Sequence, residues 1–255
     1  MRAAAAVLLL AGAAPVPTAG AGAPAPGAPA VKQTAADDLA ATANLVYRTT
    51  AEFRFAGLPL RLSVRTTTTW HRDGEHYESH LHMDTSSVEF DQLSEGLLGP
   101  EGMLVPTRYT EKRPFHKPEA VAIDWQDRLI QFGDSPKVAA PAAGAQDRLS
   151  LQFELARQRL RYPEKFEAGS SHEVRLIGTH DVDPWTFVAG AEESVETGKG
   201  PMRAQRYSAR RKVGAVEETM DIWLGADLRW MPIRIRMVDR NASVIDSVLQ
   251  SIDLS

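Results

Sequence analysis

Leu45-Val46-Tyr47-Arg48 and, after Gly57-Leu58-Pro59, Leu60-Arg61-Leu62-Ser63-Val64-Arg65 decide the fold. Apart from Val46, hydrophobic and polar residues alternate in both stretches, the spacing of a strand whose side chains point to opposite faces. Leu45, Tyr47, Phe53 and Phe55 share one face, with Arg48, Glu52 and Arg54 on the other. In the second run Leu60, Leu62, Val64 and Trp70 face one way, and Arg61, Ser63, Arg65, Thr67 and Thr69 the other. Two such runs around a Gly/Pro turn predict a hairpin. Their polar faces predict an antiparallel sheet with one side wet or lining a polar cavity.

The same reading extends along the chain. Asp73-Gly74 turns into a third strand at 75–83, and 86–93, 104–112, 121–125 and 128–132 read as further strands. A Pro/Ala-rich surface loop follows at 133–144. Beyond it, 173–179, 185–194, 202–212, 218–224, 230–238 and 244–254 resume strand character. Only 147–161 breaks the pattern: Leu149, Phe153, Ala156 and Leu160 recur at helical spacing, Asp147 is placed to cap, and Pro163 ends the element. That helix is expected to lay its Leu/Phe stripe on a sheet. The fold expected is mainly β: one large curved antiparallel sheet or partly closed β-barrel with one α-helix packed on it.

The start of the chain carries a different signal. Met1-Arg2 precedes an apolar run from Ala3 to Ala14 and a loose Pro/Gly/Ala stretch, the layout of a secretory signal. The run is too short to span a bilayer, which takes about 20 apolar residues. We read 1–21 as a signal peptide cut before Gly22, 22–44 as a flexible Pro/Gly/Ala-rich linker, and 45–255 as a single β-rich domain. The alternative is a disordered tail on a cytosolic protein. The absence of cysteine excludes a lipidated cysteine, a disulfide framework, thiol catalysis and cysteine-ligated metal. No second stretch approaches membrane length, so the processed chain is not expected to span a membrane. The expected location is periplasmic, with secretion as the alternative. A balance of 29 basic and 33 acidic residues shows no electrostatic footprint for nucleic acid.

Two motifs carry a resemblance. Gln146-Asp147-Arg148-Leu149-Ser150-Leu151 opens the helix, and Ile222-Trp223-Leu224 precedes Arg229-Trp230-Met231-Pro232-Ile233-Arg234-Ile235. Together they resemble the bacterial exported family known only as domain of unknown function 3108, over roughly 45–255. The resemblance implies export and a β-rich fold, and brings no activity. Its architecture is similar to the half-barrels of periplasmic lipoprotein carriers, in which a sheet wraps an apolar groove beneath a helix. That second likeness concerns fold and does not license function.

Candidate site residues fall into three groups. His76, Glu78, His80, His82 and Asp84 project from one face of the third strand, where two imidazoles and a carboxylate suit an open zinc site. The plainer reading is a solvated polar face. Arg206, Arg210 and Arg211, with Arg234 and Arg236, suit a groove gripping phosphate or carboxylate, or else a charged outer face paired with Glu217, Glu218 and Asp221. Trp70, Trp125, Trp185, Trp223 and Trp230 line a groove or fill a core. From these, ligand contact is assigned to Trp223, Trp230, Arg234 and Arg236, and metal contact to His76, His80 and His82.

The chain has no G-x-S-x-G elbow or comparable nucleophile signal, so no catalytic residue and no cofactor is assigned. The leading expectation is a non-enzymatic binding or carrier protein for a lipid or other amphiphile of the cell envelope. The alternatives are a metal-dependent envelope hydrolase on the His76/His80/His82 face and an assembly factor that offers a sheet edge to an envelope protein partner.

Overall fold

In a computed structural model of the chain the described residues are 38–55, 58–84, 89–114, 116–135, 137–214, 216–239 and 241–255, without the side chains of 54, 55 and 84. The signal peptide read over 1–21 and most of the linker lie outside them. The described strands form one sheet of fifteen. β1 (Thr42–Phe55), β2 (Leu58–Asp73), β3 (His76–Asp84), β4 (Phe90–Leu98), β5 (Leu104–Lys112), β6 (Glu119–Asp124), β7 (Leu129–Phe132) and β8 (Val138–Ala139) meander in order. After β9 (Gln146–Asp147) comes α1 (Ser150–Arg161). A second meander follows: β10 (Ser171–Ile177), β11 (Val182–Thr197), β12 (Gly200–Val213), β13 (Val216–Gly225), β14 (Pro232–Val238) and β15 (Val244–Leu254).

β15 pairs with β1 and joins the two meanders at the middle of the sheet. Pairing is antiparallel throughout, save that β9 runs parallel to β10. The edges β8 and β9 have two residues each. Gln146 Nε2 on β9 donates to the Leu104 carbonyl on β5 at 2.8 Å, so one edge comes back against the other half. The sheet is bent round on itself with no ladder closing it.

α1 lies inside the bend. Ser150 to Arg157 are all buried, the condition of a helix surrounded by protein. This corrects the expectation of a helix laid on a sheet by one stripe: the curve covers its flanks as well. Leu151, Phe153, Leu155 and Ala156 join the main core with Leu45, Tyr47, Tyr77, Phe187, Tyr207 and Leu249. Leu149 enters a second cluster with Tyr109, Val121, Ile130, Phe132 and Ile177. Trp70 stacks on Tyr77 at 5.4 Å and on Phe153 at 4.7 Å.

Burial obliges every polar group near the helix to find a partner. The helix begins at Ser150, yet Asp147 still caps it. Its Oδ1 accepts the amides of Leu149 and Ser150, each at 2.8 Å, and its Oδ2 accepts the Ser94 hydroxyl at 2.6 Å. One turn on, Glu154 Oε2 accepts the Leu104 amide at 3.0 Å, and Arg157 donates to both Glu154 oxygens at 2.8 and 2.7 Å. β9 and the helix are thereby tied to β4 and β5.

The domain also begins earlier than position 45. Leu39 and Ala40 are buried, the Trp70 indole donates to the Ala40 carbonyl at 3.0 Å, and Asp38 pairs with Arg72. β1 reaches back to Thr42 because its partner β15 runs to Leu254, and Thr42 N donates to the Ser255 carbonyl at 2.8 Å. The linker reading over 22–44 is therefore corrected for 38–44. The 133–144 stretch, read as loop, holds β8.

Two predictions follow from this core. Phe153→Ala removes the ring stacked on Trp70 and is expected to cost about 3–5 kcal/mol in urea unfolding. Burial pushes the Asp147 carboxyl up, against the opposing hydrogen bonds from Ser94, Ser150 and Leu149. Its stabilising share is therefore fully present below the ordinary carboxylate pKa of about 3.9 and is lost as pH rises through the raised folded value. The stability gap between wild type and Asp147→Asn should narrow as pH rises through that window. A gap that widens, measured by urea unfolding at stepped pH, contradicts this.

Candidate functional site

The inner face of the sheet changes character along three neighbouring strands. On β2, Trp70, Thr68 and Thr66 are buried, Val64 is half-buried, and Leu62, Leu60 and Leu58 are 43%, 42% and 68% exposed. β1 runs the same way, from buried Leu45, Tyr47 and Thr49 to half-buried Ala51 and Phe53. On β15 the order is buried Leu249, half-buried Ser247 and Ile245, 37% exposed. A hydroxyl ladder marks the change: Thr66 donates to Thr49 at 2.7 Å, and Thr49 and Ser247 lie 2.8 Å apart.

Strand lengths explain the gradient. β3 last pairs with β2 where Asp84 meets Arg65, and β15 last pairs with β1 where Val244 meets Glu52. The β1–β2 hairpin runs past both neighbours, and its hydrophobic residues keep the inner face without the cover that α1 gives farther down. Met83, opposite Thr66, and Met237, opposite Ile245, border the same area and are half-buried. The result is a concave apolar mouth above a filled interior.

The ligand residues assigned from sequence lie elsewhere. Trp223 and Arg234 occupy the outer face, where Arg206 and Arg234 sit over the indole at 5.2 and 4.9 Å. The Trp223 Nε1 donates to Glu193 at 2.6 Å, leaving the ring 6% exposed. That stack is closed to a ligand. Arg234 grips Asp246 through two bonds of 2.9 and 2.7 Å, and Asp246 holds its guanidinium above the usual pKa. Trp230 is at the turn before β14, with a left-handed φ of 59° and the Arg159 guanidinium 4.0 Å from its ring centre. The sequence reading began the strand at Trp230; it begins at Pro232. Of the assigned ligand residues, Arg236 borders a polar cleft on the outer face.

The expected charge pairing is present, with Arg206 on Asp221 at 2.9 Å and Arg210 on Glu217 at 3.5 Å. Arg211 instead turns inward, by strand alternation with Ala209 and Tyr207, and pairs with Asp183 and Glu218. The sequence reading missed Leu58, Leu60, Leu62, Ile245 and Met237 as candidates, although it placed Leu60 and Leu62 on this face. Their only signal was apolar alternation, which marks the inner face without telling where cover ends.

The histidines divide. His80 Nε2 and His82 Nδ1 hold opposite oxygens of Asp91 at 2.7 and 2.9 Å, with ring centres 6.2 Å apart. His76 sits at the far end of β3, opposite Leu97, and the Asp84 side chain is outside the described set. Among the described residues no three His, Asp or Glu side chains are gathered to hold a metal ion. The sheet edges give an extended partner strand little free ladder, since β8 is two residues long and both residues of β9 are fully buried. Among the described residues no helix is long and apolar enough to cross a membrane.

One curved sheet around a central helix places the chain among β-barrel-like proteins. Its sequence matches the family of proteins of unknown function DUF3108 across residues 47–246, and the chain belongs to that family. Among curated proteins none matches. The crystal structure of a β-barrel-like protein of domain of unknown function DUF1849 from Brucella abortus is similar in fold, with a TM-score of 0.57. The alignment covers 86% of this chain and 99% of that one at 12% identity. A DUF1329 family protein from Desulfovibrio piger aligns over 86% and 88% of the two chains at 11% identity, with a TM-score of 0.28 that defines no common fold.

Replacing His80 and His82 together by Ala removes only half-exposed contacts to Asp91. The unfolding free energy is expected to change by less than about 1 kcal/mol. Elemental analysis should find zinc well below one equivalent in both proteins; stoichiometric zinc lost in the variant would restore the metal reading.

Proposed function

We propose that the protein is a non-enzymatic binding or carrier protein of the cell envelope, and that it holds the apolar part of a lipid or other amphiphile at the mouth of the sheet. One observation carries the reading: exposed Leu58, Leu60, Leu62 and Ile245 all share the inner face, continuous with the core. Apolar residues gathered on one concave surface mark a binding site far more often than the same number scattered singly. The interior below is occupied by α1, so the ligand is met at the mouth and not swallowed whole. Arg61 and Arg65 alternate with Leu60, Leu62 and Val64 on β2, which sets positive charge behind the apolar strip and favours an anionic amphiphile. The leader-like residues 1–21 support a periplasmic setting, with secretion as the alternative.

Burying a leucine side chain is worth about 1.5–3 kcal/mol. Leu60→Asp with Leu62→Asp should therefore weaken binding of a fluorescent fatty acid by at least about tenfold. The fold should survive, because both side chains are already over two-fifths exposed. Circular dichroism checks that point. Native mass spectrometry of the chain purified from its own envelope should show a retained amphiphile; an empty protein that also ignores the fatty acid refutes the proposal.

A further inference from the structure

The outer face of the same strands carries a second, chemically opposite feature. Register places Arg65, Arg48, Val248, Arg234, Trp223 and Arg206 in one line across β2, β1, β15, β14, β13 and β12. The next line holds Asp246, Arg236 and Asp221. Three arginines here compete for two carboxylates. Arg206 takes Asp221 and Arg234 takes Asp246, each at 2.9 Å or less. Arg236 stands between both acids, and no carboxylate among the described residues comes within ion-pair distance of it. Arg48 lies directly opposite Arg65, an unfavourable like-charge cross-strand pair.

Arg48 and Arg236 both line a cleft of about 640 Å³ on this face. Its floor includes Val244 and Val248, and its roof is the tip of the β11–β12 hairpin at Thr197 and Gly198. The roof is built in. β11 shifts register between Ala189 and Glu192, where Gly190 passes close to the Arg206 carbonyl, and Glu193 then reaches the Trp223 indole. Gly198 N donates to the Leu249 carbonyl at 2.7 Å. A Cβ at Gly198 would lie 2.6 Å from the Gln250 side chain and 2.8 Å from its Cα, so no larger residue allows that approach. The acids bordering the cleft include Asp246 and Glu52, engaged by Arg234 and Arg61, and Glu196 of the tip.

We infer that this outer cleft binds a phosphate group, held by the guanidiniums of Arg48 and Arg236. Arginine offers paired donors that match a phosphate edge, and a dianion there relieves the Arg48–Arg65 repulsion while giving Arg236 the partner it lacks. A site of this volume with Thr50, Thr197 and Gln250 at its walls takes a polar body beyond the phosphate itself. The cleft lies on the opposite face from the apolar mouth, and the inference stands independently of the amphiphile reading.

The test uses the full chain and inorganic phosphate. Wild type should broaden the phosphorus-31 resonance, and phosphate should raise its melting temperature above chloride of equal ionic strength. Arg48→Gln with Arg236→Gln should weaken both effects at least about tenfold, while Arg210→Gln, the same substitution elsewhere on the outer face, should leave them intact. Should the double variant fail to fold, Thr197→Trp, which fills the cleft from its tip, takes its place. Absence of broadening in wild type, or an undiminished response in the folded double variant or in Thr197→Trp, overturns the inference. Sedimentation with phosphatidylglycerol vesicles, against phosphatidylcholine alone, separates the sources. Vesicle binding lost in the double variant assigns the phosphate to a lipid headgroup; a response to free phosphate without vesicle binding assigns it to a soluble ligand.

Discussion

Burial of the first two turns of α1 inside the sheet is the constraint on which the architecture depends. A helix whose first two turns are surrounded on all sides has no solvent there to satisfy its leading amides or the charged side chains of Glu154 and Arg157. Asp147 meets the amides, Ser94 meets Asp147, and Glu154 takes both Arg157 and the Leu104 amide. These contacts come from β4 and β5, in the first half of the sheet, while β10, hydrogen-bonded to β9, belongs to the second. The helix entry thus ties the β9 edge to the other half of the sheet, where no ladder joins them, and supplies the closure that strand pairing leaves out.

Much of the fold was legible because pleat alternation is a local property. The faces read for Leu45, Tyr47, Leu60, Leu62, Val64 and Trp70 are the faces found, and β5 and β15 have the limits the alternation gave. What escaped were features set by partners distant in sequence. β8 and β9 are too short to show any period, and Asp38 to Asn44 belong to the domain only because β15 and Trp70 receive them. The helical stripe of Leu149, Phe153, Ala156 and Leu160 was read correctly as apolar, but Gln152, Glu154 and Arg157 concealed the fact that the opposite side is buried too.

The candidate site was less legible, for a related reason. Tryptophan and arginine attract attention as ligand contacts, and Trp223, Arg206 and Arg234 do meet, but they satisfy one another with Glu193, Asp221 and Asp246. Chemistry-bearing residues with close partners have little left to offer. The sites that stay open are defined by a missing neighbour: β3 stops short of the inner leucines and β15 short of Leu60 and Leu58, and two acids taken by two arginines leave Arg236 between them. A shortage of this kind is a property of register, which no single segment of sequence contains.

The same strands therefore serve opposite tasks on their two faces. Leu60 and Leu62 alternate with Arg61 and Arg65 on β2, and Tyr47 and Thr49 with Arg48 and Thr50 on β1, so the pleat sends apolar groups to the inner face and cations to the outer face, where Arg48 and Arg61 line the cleft. A one-residue slip of β2 against β1 would exchange the faces, emptying the core of Trp70 and placing Arg65 beneath α1. The Thr66–Thr49–Ser247 ladder opposes that slip, because its hydroxyls meet only when all three strands hold this register. Core, mouth and cleft thus depend on one alignment of β2, β1 and β15, and a substitution that loosens it acts on all three together.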